Sequence, residues 1–174
     1  MNPTPLAVVF LLACAVLAGC AGAPDVTPEE LASHTTPLSA MSGMQALPIG
    51  ASATEFKDYG MTTNPGTANP AKFPNFNGAT PKAAYGEILQ EGNNSQHRLY
   101  VFALSFSSAD AAAGFVQDGK ACGNPNARAY TKDGATLTQF VYVALDGQTD
   151  NTLIAHWHSA IQDVMARTGA TNAC

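Results

Sequence analysis

Residues 97–106, HRLYVFALSF, decide the fold. Bulky Tyr100, Phe102, Leu104 and Phe106 alternate there with Leu99, Val101 and Ala103. Successive side chains of an extended strand point to opposite faces. An apolar set on both faces therefore predicts a central, largely buried strand. Upstream, residues 85–91 read as a partner strand, joined to it through the turn-forming run GNNSQ at 92–96. Downstream, Ser107 or Ser108 is placed to cap a helix that has Asp110 in its first turn. Ala111, Ala112, Phe115 and Val116 form its inner stripe, and Gly119 or Gly123 ends it.

The same order recurs further on. Residues 127–132 read as a strand, Asp133-Gly134 as a tight hairpin turn, and residues 135–145, ATLTQFVYVAL, as a second long strand. Thr149 or Asp150 caps a final helix that Gly169 closes. Leu153, Ile154, Trp157, Ile161, Val164 and Met165 recur along it at helical spacing. HRLYVFALSFSSADAAAGF beside TQFVYVALDGQTDNTLIAHW gives buried strand, polar cap and amphipathic helix twice. The expected fold is α+β for residues 83–174: a four-stranded, mainly antiparallel sheet in ββαββα order, with two helices on one face.

Ahead of that domain, eight of the 11 prolines fall between Pro24 and Pro81. Proline removes a backbone donor and interrupts helices and central strands. Residues 21–82 are therefore expected to form a Pro-rich arm, only partly ordered. Thr27-Pro28-Glu29-Glu30 fits a capping box with Pro at the first helical position. Asn64-Pro65-Gly66 and Asn69-Pro70 read as turns. Phe56, Tyr59, Phe73 and Phe76 argue that part of the arm lies on the domain, because pure linkers rarely carry aromatics.

The N-terminus carries an address. Residues 6–17, LAVVFLLACAVL, are an uncharged apolar run of 12, short for a bilayer span of about 20 helical residues but suited to a signal peptide. The run ends in Leu17-Ala18-Gly19-Cys20, which resembles the lipobox of bacterial lipoproteins. That resemblance implies a signal peptide at 1–19, cleavage before Cys20, and acylation of Cys20. Each buried CH₂ of such chains contributes about 0.8 kcal/mol, and two or more chains anchor stably. Ala21 after the cysteine implies sorting to the outer membrane, facing the periplasm, if the host is Gram-negative.

Four cysteines are present. On the lipoprotein resemblance Cys14 would leave with the signal peptide and Cys20 would be acylated, which leaves Cys122 and Cys174, each expected just past a helix C-terminus. In an oxidising compartment that pair is expected to form a disulfide closing a loop of about 50 residues, worth roughly 4 kcal/mol in the chain-entropy model. The alternative, a redox or metal-binding pair, lacks Cys-x-x-Cys spacing and a helix N-terminus to lower a thiol pKa.

Composition excludes one partner class. Charged residues make up 12% of the chain, against about 25% in typical domains, and the net charge is −5. No Lys/Arg cluster exists to displace counterions from nucleic acid. His156 and His158 form His-x-His, but on a helix two residues subtend about 200° and send the rings apart. No metal site, cofactor or catalytic residue is assigned on this reading. Gly-x-Ser-x-Gly, Ser-x-x-Lys and His-Glu-x-x-His are absent from the sequence. Residues 146–151, DGQTDN, resemble a calcium loop in composition only and serve as turn plus cap. Glu87 and Glu91, four apart on a strand, stand about 13 Å apart, too far for a carboxylate pair.

Three functional classes follow. The first is a membrane-anchored envelope lipoprotein, a non-enzymatic module binding an envelope protein or a cell-wall partner, with the arm giving reach from the membrane. The second is an enzyme with dispersed residues, drawn from His97, His156 or His158 with Asp150 or Asp163. The third is a periplasmic module binding a small apolar ligand between sheet and helices.

Overall fold

The computed structural model describes residues 25–35, 43–50, 53–73, 79–92, 94–116, 128–148 and 150–173. Cys20, Cys122 and Cys174, and with them the lipidation and disulfide assignments, lie outside the described residues, as does Phe76. In chain order the elements are α1 (Pro28–Ala32), β1 (Met44–Ala46), α2 (Ala53–Tyr59), β2 (Gly66–Ala68), β3 (Ala83–Glu91), β4 (Asn94–Ser105), α3 (Ala109–Val116), β5 (Arg128–Asp133), β6 (Thr136–Ala144), α4 (Asn151–Thr168) and β7 (Thr171–Asn172).

The mixed α and β class is as expected, but the sheet is larger than four strands. Seven antiparallel strands run in the order β1-β3-β4-β6-β5-β7, and β2 also pairs with β3. The centre, β3-β4-β6-β5, comes from the segments read as strands. Long β4 pairs with β3 on one side and β6 on the other, which accounts for its apolar residues on both faces. The extra strands come from segments too short and too polar to show a period. β1 and β2 lie end to end along the outer edge of β3, against Leu89–Glu91 and Ala84–Gly86 respectively. The gap between them is filled by Asn64. Its side-chain amide donates to the carbonyls of Leu47 and Ile88 (2.9 and 2.7 Å), and its Oδ1 accepts from the Ile88 amide (2.9 Å). One asparagine thus supplies the ladder contacts that a strand residue would make.

The placement of both helices on one face is overturned. Ala112, Phe115 and Val116 of α3 pack with Tyr100, Phe102, Leu104, Tyr130 and Leu137. Leu153, Trp157, Ala160 and Val164 of α4 pack with Leu99, Val101, Phe140 and Tyr142. Those strand residues alternate along β4 and β6, so the helices cover opposite faces. Burial on both faces of β4 requires a cover on both. With both helices on one side, Phe106, whose ring lies 5.1 Å from that of Phe115, would lose its cover, at roughly 1.5–3 kcal/mol for such a side chain.

Helix length explains what the arm does. Helix α3 has eight residues and spans about 12 Å, whereas the 12-residue β4 is about 40 Å long. The uncovered part of that face is closed by arm residues Leu47, Phe56, Met61, Ala68 and Phe73, all in the same cluster. Tyr59 stacks over Phe102 with ring centroids 4.4 Å apart, and Phe73 meets the same ring edge-on at 5.1 Å. Buried Arg98 on β4 reaches Glu55 of α2 at 3.5 Å. On the other face α1 lies beside α4. Leu31 is fully buried, Nδ1 of His34 lies 3.2 Å from Oγ1 of Thr138, and the Arg167 guanidinium donates to the Ser33 carbonyl.

Local signals set the helix ends. Thr27 and Glu30 form the reciprocal capping box, with N–H···O contacts of 3.2 and 2.7 Å. Asp150 is the N-cap of α4, and Gly169 ends the helix with φ +73°. The buried stripe of α4 is centred on Leu153, Trp157, Ala160 and Val164, with Ile154 and Ile161 half-buried beside it. The small Ala160 lets the helix approach the sheet closely, and a search for bulky apolar periodicity passes over such a position.

Candidate functional site

Strand β4 begins, strand β6 ends and helix α4 begins at one end of the α4 face, and these junctions share one polar cluster. Register sets its centre: His97 on β4 pairs with Ala144, the last residue of β6. The chain then turns through residues 145–150 before α4 starts. Gly147 adopts φ +71°, a conformation that favours glycine, while Oδ1 of Asp146 accepts from the Gln148 amide at 2.9 Å. The turn folds back over His97 and presents Asp146 and Asp150 to its ring.

His97 is 3% exposed. Its Nδ1 lies 3.5 Å from Oε2 of Glu91 and 3.7 Å from Oδ2 of Asp150, and its Nε2 lies 3.5 Å from Oδ1 of Asp146. The hairpin between β3 and β4 brings in Glu91, where an irregularity shifts the register between Gln90 and Glu91. The second Glu91 oxygen faces Nδ1 of His156 at 3.9 Å, a buried nitrogen with no hydrogen-bond partner among the described residues. Arm residues close the cluster from the outside. Gly43, at φ +84°, lies against the His156 ring, where an added Cβ would stand 3.3 Å from Cε1. Its carbonyl accepts from the Gly92 amide at 2.7 Å.

The two oxygens of Asp150 divide their work. Oδ1 accepts from the amides of Thr152 (2.6 Å) and Leu153 (3.2 Å), and Oδ2 is turned to His97. Those two amides hold the Asp150 carboxyl below its ordinary value, with a smaller contribution from His97. Ligand atoms of Glu91, His97 and Asp150 all lie within 4.8 Å of one another, so these three could hold a cation. None of the three carboxylates is paired with Lys or Arg among the described residues. Lys82, Arg98 and Arg167 pair with Asp25, Glu55 and Asp163 instead.

Sequence reasoning named some of these residues singly. His97, Asp150 and His156 are brought together, whereas Asp163 pairs with Arg167 one turn along α4 at 2.9 Å. The two rings of His-x-His diverge as helix geometry requires: His156 turns inward to Glu91 and His158 is exposed. Glu91 and Asp146 were missed. Glu91 was compared with Glu87 on its own strand, while its partner lies across the hairpin at His97. The signal for Asp146 and Asp150 was their position in the turn after a strand whose last residue pairs with His97.

No protein-family model matches this chain, and no curated protein matches it either. Among solved structures, the extracellular domain of PknH from Mycobacterium tuberculosis aligns with 81% of this chain and 97% of its own length, at 16% identity and a TM-score of 0.46.

Proposed function

We propose that this chain is a lipid-anchored envelope protein whose folded part is a non-enzymatic binding module held close to the membrane surface. The Leu17-Ala18-Gly19-Cys20 motif after an apolar run supports the anchor. The observation that carries the rest is the packing of α1. Leu31 is fully buried, and Arg167 ties Ser33 to α4. Only residues 21–27 then separate Cys20 from the first helix, about 25 Å of chain at full extension. The 60-residue reach expected of the arm shrinks to that short tether. A partner must come to the membrane surface to meet the domain, which favours another envelope protein, or cell-wall material lying against the membrane.

Binding is favoured over catalysis by the enclosure of His97. A general base needs its substrate's proton within about 2.6–3.2 Å. His97 is 3% exposed and has carboxylates within 3.7 Å on both ring nitrogens, so a substrate has no approach to it. In cells fed labelled palmitate, the wild-type chain is expected to take up label and fractionate with membranes. Cys20→Ser is expected to lose the label and to remain uncleaved or become soluble. Normal labelling of Cys20→Ser overturns the reading.

A further inference from the structure

We infer that Glu91, His97 and Asp150 form a binding site for one divalent cation of the zinc class, with Asp146 orienting the imidazole. The spacing is the first argument. Charge-assisted hydrogen bonds between these groups would close to about 2.7–2.9 Å. The observed separations from His97 Nδ1 are 3.5 Å to Glu91 Oε2 and 3.7 Å to Asp150 Oδ2. Two ligands sharing a tetrahedral cation at bonds of about 2.0–2.1 Å stand about 3.4 Å apart along the tetrahedron's edge. The atoms are placed as ligands around a common centre, too far apart to be good partners of one another.

Charge is the second argument. Glu91, Asp146 and Asp150 converge on one buried imidazole, with His156 at the margin and no Lys or Arg on any of the three among the described residues. Two ligating carboxylates and a neutral imidazole would balance a divalent ion.

The outer contacts are the third argument. A metal-bound histidine almost always gives its other ring N–H to a carboxylate or carbonyl, and that partner fixes tautomer and ring angle. Asp146 Oδ1 stands 3.5 Å from Nε2, on the side where such a partner belongs though not yet within hydrogen-bond distance, while Nδ1 faces the ligand oxygens. Asp150 is fixed in turn, because its Oδ1 is held by two amides at the start of α4 and only Oδ2 is left to bind. The mixed nitrogen and oxygen donors select the metal class: imidazole suits zinc and its neighbours, whereas magnesium and calcium take oxygen ligands.

The test uses the untagged, lipid-anchored protein in detergent, stripped with EDTA and titrated with Zn²⁺ by calorimetry. Co²⁺ serves as a second probe whose visible absorption reports tetrahedral coordination. Saturation at one equivalent is expected. Glu91→Gln and Asp150→Asn should each weaken binding at least tenfold, and Asp146→Asn about 10–100-fold. His158→Ala should leave the affinity unchanged. Asp150→Asn keeps an oxygen for the helix cap, and the emission of the single tryptophan, Trp157, reports whether each variant is folded. No stoichiometric uptake by the wild type overturns the site. So does wild-type affinity in folded Glu91→Gln and Asp150→Asn, in which case the ion binds elsewhere on the protein.

Discussion

The two ββα halves of this protein share a sequence pattern and differ in what their helices do. In the first half three residues, 106–108, separate β4 from α3, and the helix lands on the face of Phe102 and Leu104. In the second half six residues, 145–150, separate β6 from α4, and the helix lands on the opposite face. The longer connection leaves room for two acidic residues, and they close over His97. The halves also cover their faces differently. Helix α4, with 18 residues, spans about 27 Å, whereas α3 has eight and needs the arm to finish its face. A repeated strand-and-helix order therefore fixes neither the face a helix takes nor where a site arises. Connection length and helix length do.

Helix α4 spans most of its face, so its central contact should be the most costly to lose. Trp157 is 5% exposed among Leu99, Val101 and Phe140. Trp157→Ala is expected to destabilise by about 3–5 kcal/mol in chemical denaturation. The wild-type emission maximum should be blue-shifted, and a solvent-like maximum would contradict the packing.

Each half is followed by one cysteine, Cys122 and Cys174, and both lie outside the described residues. Ala173 packs against the α3-side cluster, and its amide donates to the Tyr130 carbonyl at 3.0 Å. Strand β7 thus carries the chain end from the α4 face to the α3 face, next to Cys174. Cys122 follows α3 by six residues. We propose, from their number and an oxidising compartment, that Cys122 and Cys174 are bonded although the helices are on opposite faces. Non-reducing digestion and mass spectrometry should find the joined peptides, and the double Cys→Ser variant should lose about 2–4 kcal/mol. Two free thiols in freshly isolated protein would refute the bond.

Two glycines sharpen the contrast within the first half. The Phe102 ring lies directly over Gly86, where an added Cβ would meet Cδ1 and Cε1 at 2.2 Å. Gly86→Ala is expected to cost about 1–3 kcal/mol by overpacking. On α3 nothing lies within 4 Å of a Cβ at Gly114, so Gly114→Ala should stabilise by about 0.5–1 kcal/mol. Equal effects in thermal melts would show that the aromatic layer, rather than α3, yields.

The smallest effect concerns the seam between the arm and the second half. Burial holds the His34 imidazole below its ordinary value of 6.5, against a small opposing pull from Asp133. The folded state therefore favours the neutral ring. Its contribution is full above pH 6.5 and is lost as pH falls through the lower folded value. Replacing His34 with Gln should flatten the stability profile between those two values. An unchanged slope would mean that folding leaves the proton affinity of the ring as it is in the unfolded chain.

How much was legible beforehand varies with the range of the interactions involved. β4, β6 and α4 were readable because long runs carry their period in neighbouring residues, and Thr27, Asp150 and Gly169 because caps are local. β1, β2 and β7 have three, three and two residues, too few to show a period, and exist because the edges of β3 and β5 offer unpaired backbone. Of the site, His97, His156 and Asp150 could be suspected one by one. Their assembly with Glu91 and Asp146 depends on a hairpin register and a turn direction that no spacing along the chain encodes.

The sequence by itself determined the Leu-Ala-Gly-Cys motif at Cys20, the low content of charged residues, and the order of the long strands and helices, because each is written in adjacent residues. Only the tertiary structure decided that α3 and α4 lie on opposite faces, that the arm packs on both of them, and that carboxylates gather around His97. The physical reason is that apolar area exposed on both faces of β4 must be covered by whatever chain can reach it. Reach is set by the whole fold.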